Sequence, residues 1–394
     1  MSSPIYILGG ARTPMGSFVG PLKDVSATDL GVVAARAAIT RSAVPASAID
    51  HVVIGNVMQT SADAIYAARH IGLKSGVPVE TPALAVNRLC GSGIQAAVTG
   101  AQLIQLGEAS VVLACGIESM SQAPHVVRGG RTGFRFGSTP KLDDTLWEAL
   151  TDTHCGAPMA ITAENCATKY GITRQAQDAF ALRSQRLAAA AWAEGRLGDE
   201  VVPVELKGRK GVELFSRDDH MRPDTTIETL AKLPPVFKKD GGVTAGNASG
   251  IVDGGAAIVL ASGAAAEAHS ATPIGVLRAW AVVGVDPAYM GMGPAPAIRA
   301  VLSKTGLALA DIDLFEINEA FAAQYLSVEA ELGLDRDRVN VNGGAIAIGH
   351  PLGMSGTRLM ITLLNELRRR GRTRGIASAC IGGGQGIAAL IETV

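Results

Sequence analysis

Three glycine-flanked segments each carry one side chain capable of nucleophilic or acid–base chemistry. They read Asn87-Arg88-Leu89-Cys90-Gly91-Ser92-Gly93, Ala345-Ile346-Ala347-Ile348-Gly349-His350-Pro351-Leu352-Gly353 and Ser378-Ala379-Cys380-Ile381-Gly382-Gly383-Gly384-Gln385-Gly386. Glycine lets backbone come close to a ligand, so such segments suit a site where main-chain amides touch substrate. Cys90 stands just ahead of an apolar, helix-like run. A helix N-terminus offers free amides and partial positive charge, which favours a thiolate and is expected to lower the Cys90 pKa from about 8.5. A buried structural cysteine is the equal alternative. Taken alone, Cys380 reads as a core residue at a strand end, and His350 as a hydrogen-bonded residue in a turn. Asn318 follows the strand-like Leu314–Ile317, where α/β proteins place ligand-binding groups. It serves as a helix N-cap as readily as a catalytic amide. Two thiols, an imidazole and an amide form a sharper set than any one of them.

The elements that would position these groups occur twice. Ala34–Gly55 and Ala297–Asn318 align at an offset of 263 (299 minus 36), pairing Arg36 with Arg299, Ile49 with Ile312 and Asp50 with Asp313. The same offset returns downstream, where Ser92-Gly93 pairs with Ser355-Gly356. Separated matches at one offset indicate an internal duplication. Each half alternates strand and helix: an opening strand (Ile5–Leu8, Ile274–Leu277) and a helix (Leu30–Ile39, Ile298–Leu302). A short strand follows (Val52–Ile54, Leu314–Ile317), then a buried helix (Ile94–Leu106, Thr357–Arg368). Closing strands are Ser110–Cys115 with Ala256–Leu260, and Ile376–Cys380 with Gly386–Ile391. Continuous apolar strands imply sheets covered on both faces, hence layers of helix, sheet, helix, sheet and helix. The interval from Ser121 to Gly250 has no counterpart and reads as a large insertion with helices at Ala160–Tyr170 and Arg174–Trp192.

Composition bounds the function. At 394 residues the chain exceeds one compact core, and a net charge of −1 argues against nucleic acid or an anionic membrane surface. No apolar run is long enough to span a bilayer, and the N-terminus enters a strand without the pattern of a signal peptide. Five cysteines without C-x-x-C spacing suggest neither a disulfide framework nor a structural zinc site. A reducing compartment is expected, most simply the cytoplasm.

The motifs NRLCGSG, GNASGIVDGGAA, NEAFAAQ, NVNGGAIAIGHPLGMSG and CIGGGQG, in that order, resemble those of the thiolases, the acetyl-CoA acetyltransferase and 3-ketoacyl-CoA thiolase family. The resemblance covers essentially the whole chain. It implies an α/β thiolase fold: duplicated mixed-sheet halves forming a five-layer α-β-α-β-α sandwich with an inserted loop domain. The domains would be 1–120 plus 251–270, the insertion 121–250 for CoA, and 271–394. It implies Cys90 as the acylated nucleophile, His350 as its base and Cys380 as the second acid/base. Asn318 would order a water in an oxyanion hole with His350, and the backbone amides of Cys90 and Gly382 would form another. Coenzyme A would be substrate and product, with no permanently bound cofactor and no metal. Ser249, Arg222, Phe237 and Met159 match CoA-contacting positions, with Ala320, Phe321 and Met290 beside them. The family implies a homodimer or homotetramer, and Val126–Thr139 could mediate further assembly.

One departure concerns specificity. Short-chain acetoacetyl-CoA thiolases often carry His-Met where this chain has Pro158-Met159, and Glu118–Pro124, Leu142–Trp147 and Leu233–Lys239 resemble mitochondrial-type 3-ketoacyl-CoA thiolases. Strict acetoacetyl specificity is therefore not expected. A papain-like Cys-His-Asn protease would lack its C-G-S-C-W context and leave Cys380 without a role. A decarboxylating ketosynthase lacks the second cysteine, and a non-catalytic lipid-binding protein has no need of all four reactive groups.

Overall fold

The computed structural model describes residues 4–208 and 211–394. The first half contains β1 (Ile5–Arg12), α1 (Ala27–Ser42), β2 (His51–Gly55), β3 (Ala83–Val86), α2 (Ser92–Leu106) and β4 (Val111–Ser119). The inserted segment contributes α3 (Met159–Tyr170) and α4 (Arg174–Ala193) before β5 (Val252–Ser262) completes that half. The second half runs β6 (Gly275–Gly284), α5 (Pro294–Thr305), β7 (Leu314–Ile317), α6 (Ala322–Leu332), α7 (Leu352–Arg369), β8 (Arg374–Ile381) and β9 (Gln385–Glu392). Local chemistry sets several of these ends. Ser26 caps α1 by accepting from the Asp29 N–H, Thr173 caps α4 through Ala176, and Gly107 in the left-handed region closes α2.

A ten-stranded sheet joins both halves in the order β7-β8-β9-β6-β1-β5-β4-β2-β3, with Gly16–Ser17 beside β5. In each half one pairing with the central strand is parallel (β2 with β4, β7 with β8) and the next is antiparallel (β4 with β5, β8 with β9). The halves meet edge to edge, where Ile5, Tyr6 and Ile7 of β1 pair with Leu277, Val276 and Gly275 of β6. α1 covers β1 and β5 on one outer face, and α5 covers β6 and β9 on the other. Between them α2 and α7 pack together, and α7 touches β4 and β5 of the first half as well as β7 and β8 of its own. The expected five layers result. β4 is buried along its length, as a strand covered on both faces must be.

The duplication is visible down to single hydrogen bonds. Asp50 accepts from the N–H groups of Ser110 and Val111, and Asp313 from those of Thr373 and Arg374, which lie at the same offset. Where α2 crosses α7, a Cβ on Gly93 would lie 2.4 Å from the Thr357 nitrogen, and one on Gly356 would lie 2.4 Å from that of Ile94. Only glycine at both positions lets the central helices come this close.

The inserted segment seats against the second half: α3 packs on α6 and on Pro287–Met292, and α4 on α6 and Ala345–Ile348. Edge strand β3 and the hairpin Val204–Gly208 with Gly211–Phe215 were not foreseen from the sequence. The hairpin strands mix polar with apolar residues, and β3 is a short apolar run, Ala83–Val86, that stays half exposed at the sheet edge. Among the described residues, no helix is long and apolar enough to cross a membrane.

Candidate active site

The site forms where the N-terminal ends of the two central helices meet the ends of β7 and β8. Cys90 sits two residues ahead of α2, in a tight turn whose preceding residue, Leu89, has a φ of 45°. A left-handed non-glycine residue is strained, and three contacts hold it. Leu89 N–H donates to Asn87 Oδ1 at 2.9 Å, Arg88 N–H donates to Ser92 Oγ at 2.9 Å, and the Ser92 hydroxyl donates to Leu89 O at 2.7 Å. Arg88 also reaches Gln385 Oε1 at 2.8 Å, tying the Cys90 turn to the turn that follows Cys380.

His350 is buried and held at both ring nitrogens. Nε2 lies 3.2 Å from Asn318 Nδ2, and Nδ1 lies 2.5 Å from Ser355 Oγ. Asn318 is not a helix cap: α6 starts at Ala322 without a side-chain cap, and the Asn318 amide is turned to the imidazole instead. Its Oδ1 is buried without a protein partner among the described residues, which leaves that amide able to hold a water or a substrate oxygen. The residues around it are locked. Asn340 exchanges two 2.8 Å hydrogen bonds with the Ile317 backbone and donates to Glu319 at 2.9 Å. Glu319 also accepts from Ser184 Oγ at 2.6 Å and Ile346 N–H at 3.2 Å.

Cys380, at the end of β8, is fully buried in an apolar cluster with Met290 and Ala320, against which Met159 and Phe321 pack. All five were singled out from the sequence. The Gly382 amide points at the Cys90 sulfur, as does that of Cys90 itself. A side chain at Gly382 would press on Leu89 and Met159 at 3.3 Å.

The electrostatics correct one expectation. The Cys90 thiol is not lowered on balance: loss of water pushes it up to about 11, against the opposing pull of the Gly382 and Cys90 amides. Here the loss of water around the thiolate outweighs the pull of those amides. Burial, and next the charge of Arg358, hold His350 down to about 3, so the imidazole is neutral at physiological pH. Burial also raises Cys380 well above the ordinary thiol range, with neighbouring Cys90 and Cys166 adding to the effect. The resting site therefore holds two protonated thiols and a neutral imidazole.

Among the other expected residues, Ser249 lies next to Ala320 and Phe321: its N–H donates to Ala320 O at 3.0 Å, and Ala248 bridges to Phe321. Arg222 is exposed, held through its backbone, with its N–H on Gln185 and its carbonyl accepting from Thr225. Phe237 is partly exposed and stacks on Trp147, with ring centroids 6.4 Å apart and planes 8° from parallel. Trp147 and Glu118 lie in segments that mark the mitochondrial-type resemblance, but the sequence assigns neither a place in the site. Buried Glu118 accepts from Asn56 Nδ2, Val57 N–H, Met58 N–H and, at 2.9 Å, Gly353 N–H, so it ties the first half to the His350 turn. Burial raises its pKa to about 7. No local motif marks such a carboxylate; its partners come from two distant segments, residues 56–58 and Gly353. Among the described residues no group of His, Cys, Asp and Glu is disposed to hold a metal ion.

Two family models match the chain: the thiolase N-terminal domain over residues 5–264 and the thiolase C-terminal domain over 271–393. This chain belongs to the thiolase family. It is 54% identical to the human mitochondrial 3-ketoacyl-CoA thiolase, over 99% of this chain and 98% of that one. It is 48% identical to an acetyl-CoA acetyltransferase of Pseudomonas aeruginosa, over 98% of each. The crystal structure of the human mitochondrial 3-ketoacyl-CoA thiolase superposes with a TM-score of 0.98 at 53% identity, covering 100% of this chain and 99% of that one. Its complex with CoA does so at 0.97, covering 100% and 98%. As a thiolase the protein is an acyltransferase with an α/β thiolase fold. The expected cytoplasmic location does not stand, because the thiolases at 53–54% identity carry a mitochondrial designation. Unpaired cysteines mark a reducing environment in general and carry no information on which reducing compartment it is.

Proposed function

We propose that this thiolase cleaves 3-ketoacyl-CoA with free CoA to acetyl-CoA and a shortened acyl-CoA, and condenses two acetyl-CoA to acetoacetyl-CoA in reverse, through acyl-Cys90. The reading rests on one observation: both halves deliver their reactive groups to one point, with the Gly382 amide at the Cys90 sulfur and Asn318 at His350 Nε2.

The steps follow from the electrostatics. His350 is neutral and accepts the Cys90 thiol proton at Nε2 as the sulfur attacks the 3-keto carbon. Because the free thiol is held near 11, proton transfer accompanies attack, and the amides of Cys90 and Gly382 receive the charge developing on the keto oxygen. The C2–C3 bond then breaks, and its electron pair becomes the enolate of acetyl-CoA. His350 and a water on Asn318 face the enolate oxygen, while Cys380 gives its proton to C2. The raised thiol keeps its proton at rest, so it is present to be given to C2. The Cys380 thiolate next takes the proton of free CoA, and the CoA sulfur displaces the acyl group from Cys90. Cys90 recovers its proton from His350, which restores the resting site.

CoA is assigned to the insertion 121–250, between the halves 1–120 plus 251–270 and 271–394. Met159, Met290, Ala320, Phe321 and Ser249 line the approach to the thiols, and Phe237 and Arg222 lie further out. A solved relative with bound CoA supports CoA as the ligand. Pro158-Met159, where short-chain acetoacetyl-CoA thiolases often carry His-Met, argues against strict acetoacetyl specificity while leaving acetoacetyl-CoA as one substrate. A homodimer or homotetramer is supported by the open edge strand β3, where Leu84 is exposed along with nearby Ile65, Tyr66 and Val79. Loss of the magnesium-chelated enolate absorbance of acetoacetyl-CoA on adding CoA tests the reaction, and a panel of short- to long-chain 3-ketoacyl-CoA substrates tests the range. No CoA-dependent loss with any of them would overturn the proposal.

A further inference from the structure

The duplicated Ser-Gly pair places two equivalent buried hydroxyls beside the two halves' reactive turns. In the first half, Ser92 Oγ accepts from Arg88 N–H and donates to Leu89 O, holding the strained turn before Cys90. In the second half, Ser355 Oγ lies 2.5 Å from His350 Nδ1 and 2.9 Å from Pro351 O. Both serines are fully buried.

We propose that Ser355 is a positioning residue that selects the Nδ1–H tautomer of His350 and so keeps a lone pair on Nε2 to take the proton of Cys90. The argument is a count of protons. Pro351 O can only accept, and the 2.9 Å contact from Ser355 Oγ is the usual donation of a helical serine hydroxyl to the carbonyl four residues back. Ser355 has a single hydroxyl proton, so it goes to Pro351 O. The contact to His350 must then use the imidazole's own proton, with Nδ1–H donating to Ser355 Oγ. Nε2 carries the lone pair, and the Asn318 NH2 group facing it at 3.2 Å agrees. Were the serine proton on Nδ1 instead, Nε2 would hold the hydrogen, oppose the Asn318 NH2 and be unable to act as a base. The pairing with Ser92 explains why Ser-Gly persists in both copies. The glycine lets the helices cross, and the serine steadies the turn bearing the reactive group.

This inference rests on the reading of His350 as the base of Cys90, and the test separates the two. Rates of Cys90 acetylation by acetyl-CoA, followed by mass spectrometry across pH, are compared for the native chain, His350→Ala, Ser355→Ala and Ser355→Thr. Ser355→Ala should acetylate roughly 100-fold more slowly, with an unchanged KM for acetyl-CoA and an altered pH profile. Ser355→Thr, which keeps the hydroxyl, should recover most of the rate. Normal acetylation in His350→Ala would overturn the functional reading itself. A native-like rate and profile in Ser355→Ala, with His350→Ala inactive, would overturn only the tautomer. The native protein supplies a readout that no variant's folding can obscure. Labelled with 15N-histidine, its His350 signal, identified by loss in His350→Ala, should show a protonated Nδ1 and a bare Nε2; the reverse pattern refutes the proposal.

Discussion

The side chains at this site have opposite needs, and burial meets each of them. A nucleophile that stays a thiol near pKa 11 and a base that stays neutral down to about 3 form no ion pair at rest. Charge appears only when substrate is present to share it. The division of labour between the thiols predicts opposite defects. Cys380→Ser should still accept an acetyl group on Cys90, yet fail at α-proton exchange, since a serine hydroxyl is too weak an acid and base. Cys90→Ser should lose acylation while exchange on bound acetyl-CoA persists through Cys380. Deuterium wash-in at the acetyl methyl, read by NMR beside mass spectrometry of the Cys90 peptide, distinguishes them; equal loss of both reactions in both variants would refute the division. His350 also predicts a pH effect on stability. Its folded pKa is depressed from 6.5 to about 3, so the unfolded chain binds this proton first. The contribution is whole above pH 6.5 and drains away as pH falls toward 3, by up to about 1.4 kcal/mol per unit. Urea unfolding of His350→Asn below pH 6.5 should therefore show a flatter acid limb than the native chain.

The central helix pair is the element on which everything else depends, because α2 and α7 carry the reactive turns at their N-terminal ends. Their closeness rests on Gly93 and Gly356, where an added methyl would meet backbone nitrogen at 2.4 Å, atoms that cannot swing aside. Gly93→Ala and Gly356→Ala should each destabilise by about 1–3 kcal/mol or more, and by similar amounts because the contacts are equivalent. They should also slow turnover, since separating the helices pulls Cys90 from His350. Thermal unfolding and thiolysis rates check both; a native melting point in either variant would show that the helices relax freely. These glycines were legible in the repeat, but as a coincidence of letters. Their reason is a helix crossing between residues more than half the chain apart.

At the scale of the whole molecule, one sheet edge is closed and the other open. Val339 bridges to Phe315 beside β7, whereas β3 ends the sheet with Leu84 exposed. An open apolar edge invites pairing with a second chain. Leu84→Asp should shift sedimentation toward the monomer, because a carboxylate there would be buried unpaired in any edge-to-edge dimer. An unchanged sedimentation profile would place the assembly surface elsewhere. The insertion is part of this larger design, since α3 and α4 pack on the second half and bring Met159 against Cys380.

Local pattern carried a great deal. Apolar runs and their spacing placed the buried strands and central helices, though the second opening strand runs to Gly284, well past the expected Leu277, and the offset of 263 disclosed the two halves (299 minus 36). The glycine-flanked turns announced Cys90, His350 and Cys380. These are properties of neighbours along the chain, so they survive in a string of letters. The ionisation of Cys90 does not, because it depends on how much water the folded site excludes; the helix argument had the right sign of field and missed the larger desolvation. Nor could the letters decide that Asn318 faces His350 and does not cap α6, or that Glu118 links two halves. Ser355 shows the boundary most clearly. Its repeat position was plain from the sequence, but its action on the imidazole depends on two contacts of 2.5 and 2.9 Å, which exist only once the chain has folded its helix over its own turn.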